Sequence, residues 1–122
     1  MVIPQITFPA ENVVHFRWTL TQAEPIGAPI PERFADFRDR SVHFSGVFDL
    51  ATVVWEGSNH VGASPTYRTL TDPQGTAIST TAELIEQVLE LTLLQRPRAS
   101  GGGVTQSVLV SAFLIRSHMP RK

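Results

Sequence analysis

Residues 39–59 read DRSVHFSGVFDLATVVWEGSN, and the alternation inside this stretch decides the fold. Val42, Phe44, Gly46 and Phe48 fall on one side, with His43, Ser45 and Val47 between them. After Asp49-Leu50 the pattern resumes, Val53 and Trp55 alternating with Thr52, Val54 and Glu56. A period of two built from branched and aromatic residues marks half-buried strands. The two-residue break between the runs is short enough for a hairpin.

The same period appears on both sides of this stretch. Upstream, in VVHFRWTL, Val14, Phe16, Trp18 and Leu20 share a face opposite Val13, His15, Arg17 and Thr19. Downstream, Tyr67–Leu70 reads as a short strand after a Gly/Ser/Pro loop. Thr71-Asp72-Pro73-Gln74-Gly75 then reads as a turn, with proline suited to its second position and glycine to positive φ. Thr80-Thr81-Ala82-Glu83 has the form of a capping box, and Leu84, Ile85, Val88, Leu89 and Leu91 follow at helical spacing, which predicts a helix of two to three turns. Leu93–Arg96 reads as a strand halted before Pro97, because the residue before proline is restricted. Beyond the Ser100–Gly103 loop, Val104 to Ile115 alternates again, and both of its faces turn apolar toward the end, as expected of a strand covered on both sides.

Residues 21–39 break the pattern. Pro25, Pro29 and Pro31 remove backbone donors and fix φ, so the segment predicts an extended arm or long loop rather than a strand. Ile26, Ile30, Phe34 and Phe37 are spaced along it as apolar anchors, so docking is expected rather than disorder. The expected fold is all-β: residues 1–122 form a single antiparallel β-sandwich, jelly-roll-like, with one short α-helix and a Pro-rich arm at 21–39.

Composition narrows the function classes. At 122 residues the chain is of ordinary single-domain size, and its net charge of -1 with dispersed basic residues offers no footprint for nucleic acid. Only Arg116, Arg121 and Lys122 gather, at the C-terminal end. The absence of cysteine excludes disulfides and thiolate metal sites. The opening MVIPQITFPAEN, broken by Pro4 and Pro9, lacks the form of a signal peptide, and no apolar run is long enough to cross a bilayer as a helix.

The residues that carry chemistry are scattered. His15, His43, His60 and His118 lack metal-ligand spacing, and Asp36, Asp39, Asp49, Glu56 and Asp72 suggest no catalytic pair. No nucleophile-elbow sequence supports a serine triad, and Gly101–Gly103 lacks the lysine of a phosphate loop. Trp18, Trp55 and Tyr67 could form a platform for a glycan, but Trp18 and Trp55 share their strand faces with apolar residues and are expected in the core. Neither an enzyme nor a cofactor is therefore expected.

Asp39-Arg40-Ser41-Val42, Gly46-x-Phe48, Ala51-Thr52-Val53 and Glu56-Gly57-Ser58-Asn59 also carry a likeness, together with Leu70-Thr71-Asp72-Pro73-Gln74-Gly75-x-Ala77-Ile78 and Arg96-Pro97 with its glycine loop. From Asp39 to the last strand the chain resembles small virion proteins encoded among the structural genes of tailed bacteriophages. It departs from their pattern at residues 60–67, HVGASPTY, where such sequences usually carry Asn-Asp-Gly and a tryptophan. The resemblance implies a structural subunit of the virion, assembled in the host cytoplasm. It would be a capsid decoration or cement protein bridging major capsid subunits, in a trimer or other homo-oligomer. A head-tail or tail-associated subunit is the alternative within that class, and a carbohydrate-binding sandwich the one outside it. Under the decoration reading the arm would meet the shell, through Ile26, Ile30, Phe34, Phe37, Arg38 and Arg40.

Overall fold

The computed structural model of the chain describes residues 1–60, 62 and 64–116. Nine strands are formed among them: β1 (Gln5–Ala10), β2 (Val13–Thr21), β3 (Asp39–Val47), β4 (Thr52–Ser58), β5 (Arg68–Thr69), β6 (Ser79–Thr80), β7 (Leu84–Val88), β8 (Leu94–Ser100) and β9 (Ser107–Ile115). One sheet has the order β1-β2-β9-β3-β7, and every named pair in it is antiparallel. In the other, β4 pairs along its whole length with β8 and, at successive positions on its other edge, with β5 and β6. The chain is all-β, as the alternation predicts.

The two sheets contribute to one core. Val14, Phe16, Trp18 and Leu20 of β2, Val42 and Phe44 of β3, and Val108, Val110, Ala112 and Leu114 of β9 are buried from the first sheet, meeting Val53, Trp55 and Ala99 of the second. Aromatic rings run through this core. Phe37 lies 5.7 Å from Phe34, Phe34 5.1 Å from Phe16, Phe16 5.9 Å from Trp18 and Trp18 5.7 Å from Trp55. Edge-to-face and offset pairs at such separations add about 0.5–1.5 kcal/mol each beyond the area they bury. Both indole N–H groups are satisfied, Trp18 donating to the Ala28 carbonyl and Trp55 to the buried Gln95 side chain.

Three expectations are corrected. Residues 84–88 form strand β7 instead of a helix. β3 offers them a free edge, and five of its residues, Arg40 to Phe44, pair with Leu84–Val88. An isolated helix of two to three turns is too short to stand on propensity alone, so the ladder wins. The capping-box residues take other roles: the Thr80 hydroxyl bonds within its own turn, to the Ala82 backbone, and Glu83 reaches His43.

β3 and β4 do not form a hairpin. Both edges of β3 are occupied, by β9 and β7, and the turn at Asp49-Leu50 carries the chain from one sheet to the other.

Of the extended arm or long loop expected at 21–39, the structure has a long loop, docked onto its own chain. Gly27 N donates to Pro97 O, Ile30 N to Gln95 O, and Ala99 N to Pro25 O, so residues 25–30 zip along the outer edge of β8. Val2 in turn bonds to Ile26 and Ala28. β8 therefore does not halt before Pro97 as expected but runs through it to Ser100, Pro97 pairing with Trp55 while its carbonyl serves the returning segment. Gly27 is required by contact, since a Cβ there would lie 2.7 Å from Trp18 Cδ1 and 2.8 Å from Pro97 Cγ. A 3-10 turn at Glu32–Phe34 then inserts Phe34 into the core.

Candidate functional site

Of the six residues expected at an interface, Ile30, Phe34, Phe37 and Arg40 lie inside the chain's own core. Ile26 is half-buried and Arg38 is exposed. Arg40 is inward-facing on β3, where its Nε donates to Phe37 O at 2.8 Å and its guanidinium also reaches Phe34 O at 3.2 Å. Burial pulls its pKa down to about 10, so it remains charged at neutral pH. Its role is to tie the returning segment to the sheet.

The tryptophans offer no platform: Trp18 and Trp55 are fully buried. Tyr67 is half-buried, and the Arg96 guanidinium stands 3.7 Å over its ring, so one face of the phenol is occupied. Burial is the main cause of the raised pKa of that phenol.

Among the described residues no three His, Asp or Glu side chains converge in the manner of a metal site. His15 and His43 lie on the outward face of the first sheet, where their cross-strand partners on β9 are Phe113 and Ser111. The backbone of His60 donates to Ser58 Oγ, and His118 falls outside the described residues. Asp36 pairs with Arg116 at 3.3 Å, and Asp72 Oδ1 accepts from Gln74 N and Thr76 N to close its turn.

The sequence reading counts Glu56 among the scattered carboxylates and does not foresee its burial. It is 3% exposed on β4, its two carboxylate oxygens accepting from Arg96 Nε at 2.7 Å and Arg98 Nε at 3.0 Å. The clue was legible: Arg96 and Arg98 stand two apart on one strand face, with Glu56 cross-strand to Arg96. The cluster knits β4 to β8 and has no access to a reacting group, so its role is structural.

A tip formed by two loops is the least ordinary part of the surface. Phe48-Asp49-Leu50-Ala51 closes a tight turn, Ala51 N donating to Phe48 O at 2.8 Å, with φ of 45° at Asp49 and 70° at Leu50. Turns with both central residues at positive φ are normally built from Asn-Gly or Asp-Gly. Here a leucine occupies the second position. The loop before β9 locks against this turn, Gly103 N donating to Asp49 O and Thr105 N to Asp49 Oδ2, each at 3.0 Å. On either side of that junction Leu50 is 88% exposed and Val104 87% exposed. The glycine loop at 101–103 is thus a backbone partner of Asp49 rather than a phosphate cradle.

Among the described residues one open polar cleft of about 400 Å³ is lined by Asp36, Arg38, Asp39 and Arg116, and another, of about 490 Å³ and mixed character, lies beside Ser58, His60, Arg68, Leu70 and Glu90. In the second, Glu90 is already engaged by the backbone N–H and hydroxyl of Thr71. Ser58, His60 and Glu90 share the second cleft, but among the described residues no hydrogen bond links the His60 ring to the hydroxyl or the carboxylate as a nucleophile, base and orienting group require. Compared with known proteins, the chain matches no family model, no curated protein and no solved structure.

Proposed function

We propose that this chain is a β-sandwich subunit of a tailed-phage virion, a capsid decoration protein that binds assembled shells of a major capsid protein and reinforces them. Support for a docking role comes from one observation, the exposed leucine at the strained turn. A residue with a Cβ in the left-handed region costs about 1–2 kcal/mol, and Leu50 recovers none of this by burial, being 88% exposed at φ 70°. Strained backbone held in place by its surroundings clusters at functional sites. Val104 beside it, with the half-exposed Val47 at the end of β3, gives the tip a small apolar summit. Asp49 is its one charged side chain, and its carboxylate is held by Thr105 N, so the summit suits an apolar pocket on a protein. The assignment to a virion rests on the resemblance in the strand and turn residues from Asp39 onward.

Cosedimentation with shells of the major capsid protein encoded alongside this chain tests the reading. Saturable binding at a fixed ratio to capsid subunits is expected. Leu50→Asn should fold at least as stably and lose shell binding. A parent protein that ignores shells but binds neck or tail assemblies would move the role to the head-tail junction. A variant that binds shells as tightly as its parent would remove the tip from the contact.

A further inference from the structure

We propose that the outward face of the five-stranded sheet, centred on β9, is a two-fold interface between two copies of this chain. The argument is independent of the shell-binding role and starts from the alternation of β9. Its inward side chains, Val108, Val110, Ala112 and Leu114, are fully buried. The outward set is Leu109, Ser111, Phe113 and Ile115, with Phe113 and Ile115 each 39% exposed. A solvated sheet face normally carries polar residues at those positions. Val13 continues the stripe directly across from Ile115, and Ile85 on β7 stands 64% exposed at the far edge.

The flanks have the opposite character. β2 presents His15, Arg17 and Thr19, and β3 presents Asp39, Ser41, His43 and Ser45. An apolar centre within a polar rim is the anatomy of a protein interface, and the short serines leave the centre low enough for a second sheet to approach.

The edges of this sheet argue for its face. β1 is interrupted by Pro9 and by a register shift between Thr7 and Ala10. On the opposite edge, Glu86 pairs across from Val42 and so lies on the inward side of β7. Proline, irregular register and inward charge are the devices that keep edges from pairing. The apolar face carries no such device.

Size and shape point to a second copy. Strands of six, nine, nine, nine and five residues give a face of roughly 600 Å² at ordinary strand spacing and rise. Two copies then bury roughly 1,200 Å² in all, at the lower end of the range of stable specific interfaces. A two-fold axis along β9 sets the β2 flank of one copy over the β3 flank of the other. Arg17, level with Ser111, then stands over His43, whose ring is paired with Glu83. The same operation brings Val13 of the second copy over the shallow cleft of about 240 Å³ lined by Asp39, Ser41, Phe113 and Ile115. The pair replaces the trimer that the resemblance implies.

Sedimentation equilibrium on the full chain, up to about 100 μM, is the test. The expected mass is twice the 13.4 kDa of one chain. Phe113→Glu, whose side chain points away from the core, should raise the dissociation constant at least about tenfold. Ser111→Glu, at the middle of β9 where the axis sets residue 111 of one copy against residue 111 of the other, should weaken the pair by juxtaposing two carboxylates. A monomer throughout, a three-fold mass, or a dimer indifferent to Phe113→Glu would each overturn the proposal. Should Phe113→Glu fail to fold by circular dichroism, Ser111→Glu decides alone: a folded monomer supports the interface and a folded dimer as tight as its parent refutes it. Leu50→Asn, at the other site, should leave the mass unchanged, which separates this interface from shell binding.

Discussion

Segment 25–37 and the tip made by residues 48–51 and 101–106 form an instructive contrast. The first is proline-rich and irregular, yet it buries Ile30, Phe34 and Phe37 and zips onto β8. The second is built of short, ordinary-looking turns, yet it holds Leu50 and Val104 out in solvent on a fixed backbone. Irregular sequence completes the core, while turn sequence makes the exposed feature. Lack of periodicity therefore does not mark a segment as external, nor does a turn between strands mark it as inert.

Removing a ring from the first region should have the largest effect. Phe34→Ala deletes contacts with Phe16, Phe37 and Phe8 and should lower stability by about 3–5 kcal/mol in denaturant titration. A loss below about 1 kcal/mol would return the segment to the status of a detachable arm. Gly27→Ala forces a methyl group between Trp18 and Pro97 and should destabilise by about 1–3 kcal/mol without unfolding the chain. At the tip the sign should reverse. Leu50→Asn relieves the left-handed strain and should stabilise by about 1 kcal/mol, read as a raised midpoint at constant slope. A destabilised variant would mean that Leu50 packs within its own chain after all.

The smallest effect is a pH dependence that involves neither region. Burial, reinforced by the neighbouring Arg17, lowers the pKa of His15 from its ordinary 6.5. The folded state thus favours the neutral ring, and below the ordinary value the unfolded chain binds the proton first. Stability should hold above that value and fall as the pH drops through it. Relative to the parent protein, His15→Gln should flatten the slope between about pH 7 and about pH 5. Identical slopes would show that the ring titrates freely.

The strand alternation was legible because each inward residue of β2, β3 and β9 meets the same core, so local period and tertiary burial agree. Leu84–Leu91 misled because Leu84, Ile85, Val88 and Leu89 satisfy helical spacing, and only the free edge of β3, more than forty residues away, selects the strand. β1 was missed for the same kind of reason. Pro4 and Pro9 mask a strand that exists because β2 accepts it as an edge. Of the candidate site, only the side-chain identities were readable. That Asp49 would clasp the loop before β9, and that Leu50 would take a positive φ, depends on a contact between residues more than fifty apart. The apolar outward side of β9 is visible in the sequence as the second apolar face of Val104–Ile115.

The place of β9 has a consequence for how the molecule is made. β9 lies between β2 and β3, pairing all nine of its residues with each. During synthesis those two strands emerge early, with facing edges and nothing to join them until Ser107–Ile115 follows. The largest sheet therefore closes last, around contacts of long sequence separation, and such topologies fold slowly. Until then two nine-residue apolar strands stand open to other chains. The chain is exposed to aggregation in an interval set by translation rather than by the stability of the finished fold.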